Sequence, residues 1–315
     1  MHKHAQTGCS RQLLPDARTM GKFRRRRPTS SRPSDQDQRS NVVDFAAWRS
    51  GNRASRRRCG SVMNGQAITF DFHNTLASCP EWFELEVRRL PSAFLRWWAD
   101  EDGRQVSPAQ LDEADTRYRQ LRRESIEHGN ELTAEACLEH VFAAMRLPVS
   151  EDDVRSGVED LMRGALAGAA PIPGAVATVR NIHGAGVRIG IVSSAVFHPF
   201  LEWTLESFGI RDAFDVVITS ASAGFYKSRA ELYVHAAELL GAIPEQMVHV
   251  GDSLRFDVGG ARRAGMGTVW LRGDRIESED PSTRPDLVLT TLVEAAPQIL
   301  VVLRSRQPDE DTVRV

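Results

Sequence analysis

Lysine is almost missing from this chain of 315 residues. It occurs at positions 3, 22 and 227 only, and arginine supplies the rest of the positive charge. A chain so biased can retain a stray lysine by drift. A site that needs a compact ammonium rather than a planar guanidinium fork would leave the same trace at Lys227. Cysteine is scarce as well: Cys9, Cys59, Cys79 and Cys137 show no paired spacing. Neither a disulfide framework nor a zinc site is suggested, which fits a reducing, cytoplasmic location. No apolar run reaches about 18 residues, so no membrane span is expected. The basic N-terminal residues are not followed by an apolar stretch, which sets them apart from a secretory signal.

The formal net charge of −2 conceals a split. Residues 1–60 hold 15 Lys and Arg against 4 Asp and Glu, and the remainder holds 25 against 38. A net of +11 therefore precedes a net of −13. Residues 1–62 are rich in Arg, Ser, Gln and Pro and cannot bury a core, so the expectation is a disordered basic arm. Such an arm leaves a nucleic-acid or anionic-surface contact open. The favoured reading is an extension ahead of a start at Met63, with no nucleic acid as partner.

From Ala67 the texture is that of a folded α/β protein. A short apolar run, Ala67 to Phe70, ends at Asp71 and the turn-prone His73-Asn74-Thr75. This reads as a buried parallel strand delivering Asp71 to its carboxyl end, where ligands bind in open α/β sheets. Residues 78–170 then show helical spacing throughout. Trp82, Phe83, Leu85, Leu90, Phe94, Leu95, Trp97 and Trp98 recur at that spacing, and Ser107-Pro108-Ala109-Gln110 has capping-box form. Thr133 and Ser150 open two further helices. From Pro171 to Leu303, strands expected at 187–193, 214–219, 247–250, 268–271 and 287–289 alternate with helices. The expected architecture is α/β: a Rossmann-like parallel sheet with helices on both faces, built from 63–77 and 171–303. An all-helical domain of residues 78–170 is inserted into it, and a loose tail follows from Arg304.

Three more strand ends carry chemistry. The strand through Arg188-Ile189-Gly190-Ile191-Val192 ends at Ser193 and Ser194, whose small hydroxyls can donate to an anion. Lys227 stands just before Ser228-Arg229-Ala230-Glu231, which has capping-box form and places the lysine at an anion-attracting helix start. Met247-Val248-His249-Val250 ends at Gly251-Asp252-Ser253, with Asp257 five residues after Asp252. Carboxylates gathered beside Asp71 repel one another unless a cation sits among them, and an oxygen-only set favours a hard ion such as magnesium.

These four stretches, in this order, resemble the motifs of the haloacid dehalogenase-like hydrolase superfamily over about residues 66–303. The helical insertion is similar to the cap that many members carry between the first and second motifs. The resemblance implies a magnesium-dependent phosphatase acting on a small phosphorylated metabolite. Asp71 would be the nucleophile that forms an aspartyl-phosphate, and magnesium would be held by Asp71, the His73 carbonyl and Asp252, with Asp257 in support. Thr75 would brace the Asp71 loop, while Ser193, Ser194 and Lys227 would hold the phosphoryl oxygens. The chain departs from the family at His73, where phosphatases carry the acid/base Asp. Either the imidazole takes over the proton transfers, or His73 is a packed residue in a weakened enzyme that binds a phosphorylated ligand. An intact Gly-Asp-Ser…Asp set counts against a metal-free dehalogenase.

Overall fold

A computed structural model of the chain describes residues 65–273 and 283–307. The basic arm expected over 1–62 and the tail beyond Gln307 lie outside the described residues. Six parallel strands form one sheet: β1 (Ala67–Phe70), β4 (Arg188–Ser193), β5 (Val216–Thr219), β6 (Met247–Gly251), β7 (Gly267–Leu271) and β8 (Leu287–Leu289). Their spatial order is β5-β4-β1-β6-β7-β8. Strand β1 is central, with Phe70 level with Ile191 on one side and Val250 on the other. The carboxyl ends of β4, β1 and β6 therefore open on the same edge, which brings Ser193, Asp71 and Asp252 to one side of the sheet.

The period of two along each strand sorts its side chains between two faces. Ile68, Phe70, Ile189, Ile191, Val248 and Val250 pack into one apolar cluster with Val179, Ile182, Ile299 and Leu303. Ala67, Val192 and Met247 pack on the opposite face with Leu232, Tyr233 and Ala236. The first cluster takes in α6 (Ala175–Gly184) and α11 (Ala296–Arg304), and the second takes in α9 (Ala230–Leu240). Burial on both faces explains why these strands read as apolar runs rather than alternating ones. Short helices α7 (His198–Ser207), α8 (Ser220–Ala223) and α10 (Gly259–Arg263) complete the connections.

Between β1 and β4 the chain leaves the sheet through a two-residue antiparallel ribbon, β2 (Ala77–Ser78) with β3 (Ala170–Pro171). The residues between are helical: α1 (Pro80–Glu84), α2 (Leu90–Asp102), α3 (Pro108–His128), α4 (Ala134–Ala144) and α5 (Glu151–Leu166). Ser107 accepts from Gln110 N in a reciprocal capping box, and Thr133 and Ser150 each cap the helix that follows. The first helix is not continuous. Residues Leu85–Arg89 form a π-helical turn between α1 and α2, which buries Glu86 among the apolar positions that the spacing had marked.

Three local expectations change. The Ser228-to-Glu231 capping box does not form: Ser228 Oγ donates instead to Ile126 O at 3.3 Å, and Arg229 starts α9 without a side-chain cap. The last helix, placed over about Leu292 to Leu303 by the sequence pattern, begins at Ala296. The tail is not loose from Arg304, because Arg304 closes α11 and Arg306 donates to Gly265 O at 2.6 Å and Glu245 O at 3.0 Å.

Helices α2 and α5 meet at Gly157, where an added Cβ would lie 2.5 Å from a Phe94 ring carbon and 2.6 Å from Trp97. Gly164, two turns on in the same helix, has open space around it. Gly164→Ala should stabilise the chain by about 0.5–1 kcal/mol through helix propensity. Gly157→Ala gains the same term but overpacks, at a cost of about 1–3 kcal/mol, and should be net destabilising. Urea titration of the two variants measures the contrast, and equal stabilisation of both would contradict the packing described.

Candidate active site

At the carboxyl edge of the sheet, Asp71 N still pairs with Val250 O at 2.8 Å, so the nucleophile candidate is anchored by the last bond of the ladder. The chain then turns sharply. Phe72 O accepts from Leu76 N at 2.9 Å and Ala77 N at 3.0 Å, and Asn74 adopts a left-handed conformation with φ 61°. Asn and Asp tolerate that region better than other side-chain-bearing residues. The turn returns Thr75, whose Oγ1 donates to Asp71 Oδ2 at 3.1 Å.

Lys227 sits between the acids. Its Nζ donates to Asp71 Oδ1 and, at 2.6 Å, to Asp257 Oδ1. All three side chains are buried. Burial alone would lower the Lys227 pKa, but Asp257 and Asp71 together outweigh it and hold the ammonium protonated far above neutrality. For Asp71 burial wins: its carboxyl is raised despite Lys227, with the Asp257 charge adding to the rise. Asp257 goes the other way. Burial opposes its charge, but Lys227 and the bond from His249 keep it ionised well below the usual carboxylate range.

Asp257 has every oxygen engaged. Oδ2 accepts from Ser253 N at 2.9 Å, and Oδ1 accepts from His249 Nε2 at 3.2 Å as well as from Lys227. An ionised carboxylate can only accept, so His249 carries its proton on Nε2 and its Nδ1 accepts from Thr69 Oγ1 at 2.9 Å. Burial keeps this imidazole neutral by lowering its pKa. Gly251 makes room for the arrangement: a Cβ there would stand 2.3 Å from Asp257 Cγ. Carboxylate oxygens of Asp71, Asp252 and Asp257 all lie within 4.8 Å of one another.

A cavity of about 370 Å³ opens over these groups. Asp71, His73, Ser193, Ser194, Lys227, Asp252 and Asp257 all line it, so the structure brings together the residues marked in the sequence; Thr75 lies behind Asp71 and is fully buried. The helical insertion adds Trp82, Phe83, Glu86, Val87, Arg122 and Ile126 to the wall, and the core adds Asn74, Tyr226, Ser253 and Phe256. The His73 ring stacks on Phe83 with centroids 4.6 Å apart and planes 12° apart, and its edge meets Trp82 at 5.7 Å. Trp82 stacks in turn on Phe200 of the core at 5.0 Å. Arg88 and Arg89 of the insertion are exposed and line no part of this cavity, whereas Trp82 does.

Glu86, Arg122 and Glu131 were not marked. Glu86 accepts from Val196 N at 2.9 and 3.1 Å and from Phe197 N at 3.3 Å, directly behind Ser193 and Ser194. Arg122 makes a two-pronged, buried ion pair with Glu131, whose Oε2 also accepts from Ser220 Oγ at 3.0 Å. One signal was available for Arg122. It follows Ala114 and Tyr118 at steps of four on the buried stripe of α3, among arginines that point outward.

Burial pushes the Glu86 carboxyl up to about 7, against its backbone bond to Val196 and the Arg122 charge. The folded chain therefore binds this proton more tightly than the unfolded chain does. The resulting stability is full below about pH 4.5 and is lost as pH rises through about 7, on the order of 3 kcal/mol in total. Glu86→Gln has no proton to lose, so its stability relative to wild type should improve between pH 5 and pH 8. A wild-type-to-variant difference that is constant over that range, measured by urea titration, would contradict the raised carboxyl.

Comparison with known proteins agrees with this geometry. The family model of the haloacid dehalogenase-like hydrolases matches residues 66–265. A glyceraldehyde 3-phosphate phosphatase of Methanopyrus kandleri is 33% identical over 118 residues, covering 37% of this chain and 50% of that protein. The 5-amino-6-(5-phospho-D-ribitylamino)uracil phosphatase YigB of Escherichia coli is 38% identical over 90 residues, 28% of this chain and 38% of that one. The chain thus spans about half the length, or less, of these curated relatives. Among solved structures, a phosphatase of the same family from Thermococcus onnurineus superposes with a TM-score of 0.52 at 24% identity, over 75% of this chain and 97% of that one. A 2-haloacid dehalogenase from Pseudomonas syringae gives 0.55 at 20% identity, over 76% and 99%. At such identities the superpositions speak for the fold, and the family match speaks for the motifs on it: the chain belongs to the haloacid dehalogenase-like hydrolases.

Proposed function

We propose that the protein is a magnesium-dependent phosphatase that hydrolyses a small phosphorylated metabolite through an aspartyl-phosphate on Asp71. The observation that carries this reading is the Asp71 carboxylate, held between Lys227 and Thr75 on the floor of a cavity that also contains Asp252 and Asp257. The phosphatase names of the relatives support it. Three carboxylates within 4.8 Å form an oxygen-only set that fits a hard divalent ion. Asp71, Asp252 and the His73 carbonyl would hold magnesium, with Asp257 behind them. When bound, magnesium supplies charge neutralisation to the phosphoryl group.

The chain's own residues then do the following. An Asp71 oxygen attacks phosphorus, the new O–P bond forms, and the bond to the leaving oxygen breaks. Lys227, kept protonated by its two acids, and the hydroxyls of Ser193 and Ser194 offset charge on the phosphoryl oxygens. His73 gives its proton to the leaving oxygen and takes one from the water that next attacks phosphorus. Hydrolysis releases phosphate and restores the Asp71 carboxylate. The helices of 78–170 act as a cap that excludes bulk water from the cavity.

A second reading has one observation in its favour. The face-to-face stack of His73 on Phe83 is what a packed, non-catalytic ring would also make. On that reading the protein binds a phosphorylated ligand through Lys227 and magnesium and returns it intact. Three measurements decide. Chelator and Asp71→Asn should each abolish phosphate release, and full turnover with excess chelator would refute the magnesium reading. His73→Ala should lower kcat/KM on the order of 10²–10⁴-fold on alkyl phosphates and less on nitrophenyl phosphate, whose leaving group needs no proton. A bound phosphorylated ligand recovered unhydrolysed after long incubation with wild type would favour the binding protein.

A further inference from the structure

Among the described residues, the wall facing the phosphoryl site has no lysine or arginine left over for a second anionic group. Among the described residues lining the cavity, the Lys and Arg side chains are Lys227 and Arg122. Lys227 is committed to Asp71 and Asp257. Arg122 is committed through both terminal nitrogens to Glu131, which is fully shielded from solvent. Glu86 adds a carboxyl to the same wall, 3% exposed. The other insertion residues there, Trp82, Phe83, Val87 and Ile126, are apolar, and Phe256 faces them from the core.

We infer that this cavity selects phosphate monoesters whose leaving group is compact, uncharged and partly apolar, and rejects those that carry a carboxylate or second phosphate. The inference rests on the phosphatase reading for its chemistry but not for its binding preference. A second anion entering here would lose its water and meet Glu86 without a free lysine or arginine to pair with. To use Arg122 it would have to displace Glu131, leaving that carboxylate buried and unpaired. An uncharged leaving group meets neither penalty and gains contact with the aromatic wall. Rejection of the wrong partner, rather than a special contact to the right one, sets the preference.

Two matched pairs test this: glycerol 3-phosphate against 3-phosphoglycerate, and phenyl phosphate against 4-carboxyphenyl phosphate. Within each pair the second compound carries a carboxylate that the first lacks, in place of a hydroxymethyl group in one pair and of a ring hydrogen in the other. The full chain with magnesium gives kcat/KM, and the Asp71→Asn chain gives Kd by calorimetry without turnover. The expected result is a preference for the uncharged member on the order of 10²-fold in both readouts. Glu86→Gln should narrow the gap by improving the carboxylated member. Equal or reversed preference with normal turnover overturns the inference and leaves the phosphatase reading intact. A preference in Kd with no turnover upholds the inference and overturns the phosphatase reading. Neither binding nor turnover of any of the four compounds overturns both.

Discussion

A single ammonium holds the centre of this protein together. Lys227 is the one lysine among the described residues, and its Nζ lies between two carboxylates that would otherwise face each other without water. Losing it would leave Asp71 and Asp257 buried and uncompensated, a change of the kind that costs about 3–5 kcal/mol. The compactness of the group matters. A tetrahedral ammonium donates in diverging directions from one point, whereas a guanidinium fork presents parallel donors suited to one carboxylate, as Arg122 does to Glu131. The chain uses arginine for one kind of buried pair and lysine for the other.

The same lysine separates the roles of its two acids. Asp257 is fixed by Lys227, His249 and Ser253 N, so its charge is spent on the protein and its position is rigid. Asp71 has fewer donors, and burial pushes its carboxyl up rather than down. A carboxylate that is incompletely satisfied in a dry site is poised to gain from an electrophile. His249 enters this arrangement from the far face of the sheet, with its ring against Tyr233 at 5.0 Å. It holds Asp257 from below without adding charge.

The sheet and the four strand-end motifs were legible because each depends on local rules. Apolar runs of strand length mark buried parallel strands, and Asp71, Ser193 and Asp252 stand at or just beyond their carboxyl ends. The lone lysine was also a usable signal. Other features depended on tertiary contacts that no spacing records. Ser228 has the form of a cap residue, yet its hydroxyl turns to Ile126 of the insertion. Glu86 lies in an aromatic-rich helical stretch, where the π-helical turn moves it inward. Glu131, in the link between α3 and α4, carries no sequence mark of its burial. Arg122 could have been found from the stripe it shares with Tyr118, and was hidden by the arginines around it.

Those unmarked residues join the insertion to the core by two seams of different strength. Around residues 129–134 the seam is main-chain: Glu131 N donates to Gly224 O at 3.1 Å, Tyr226 N to Gly129 O at 2.9 Å, and Ala134 N to Val196 O at 2.9 Å. At the π-helical turn the seam is one side chain, Glu86, against the amides of Val196 and Phe197. The Arg122–Glu131 pair lies wholly within the insertion and would travel with it. Any widening of the cavity that lifts α1 and the π-helical turn from the core thus leaves the ion pair whole and strips Glu86 of its amide donors. Because burial outweighs those amide bonds and raises the Glu86 carboxyl, release to water favours the carboxylate, so opening is easier once Glu86 has lost its proton. The ease of opening is then set by the protonation of a residue that also walls the cavity, and the Ser193-Ser194 turn, held from outside the core, responds to the same event.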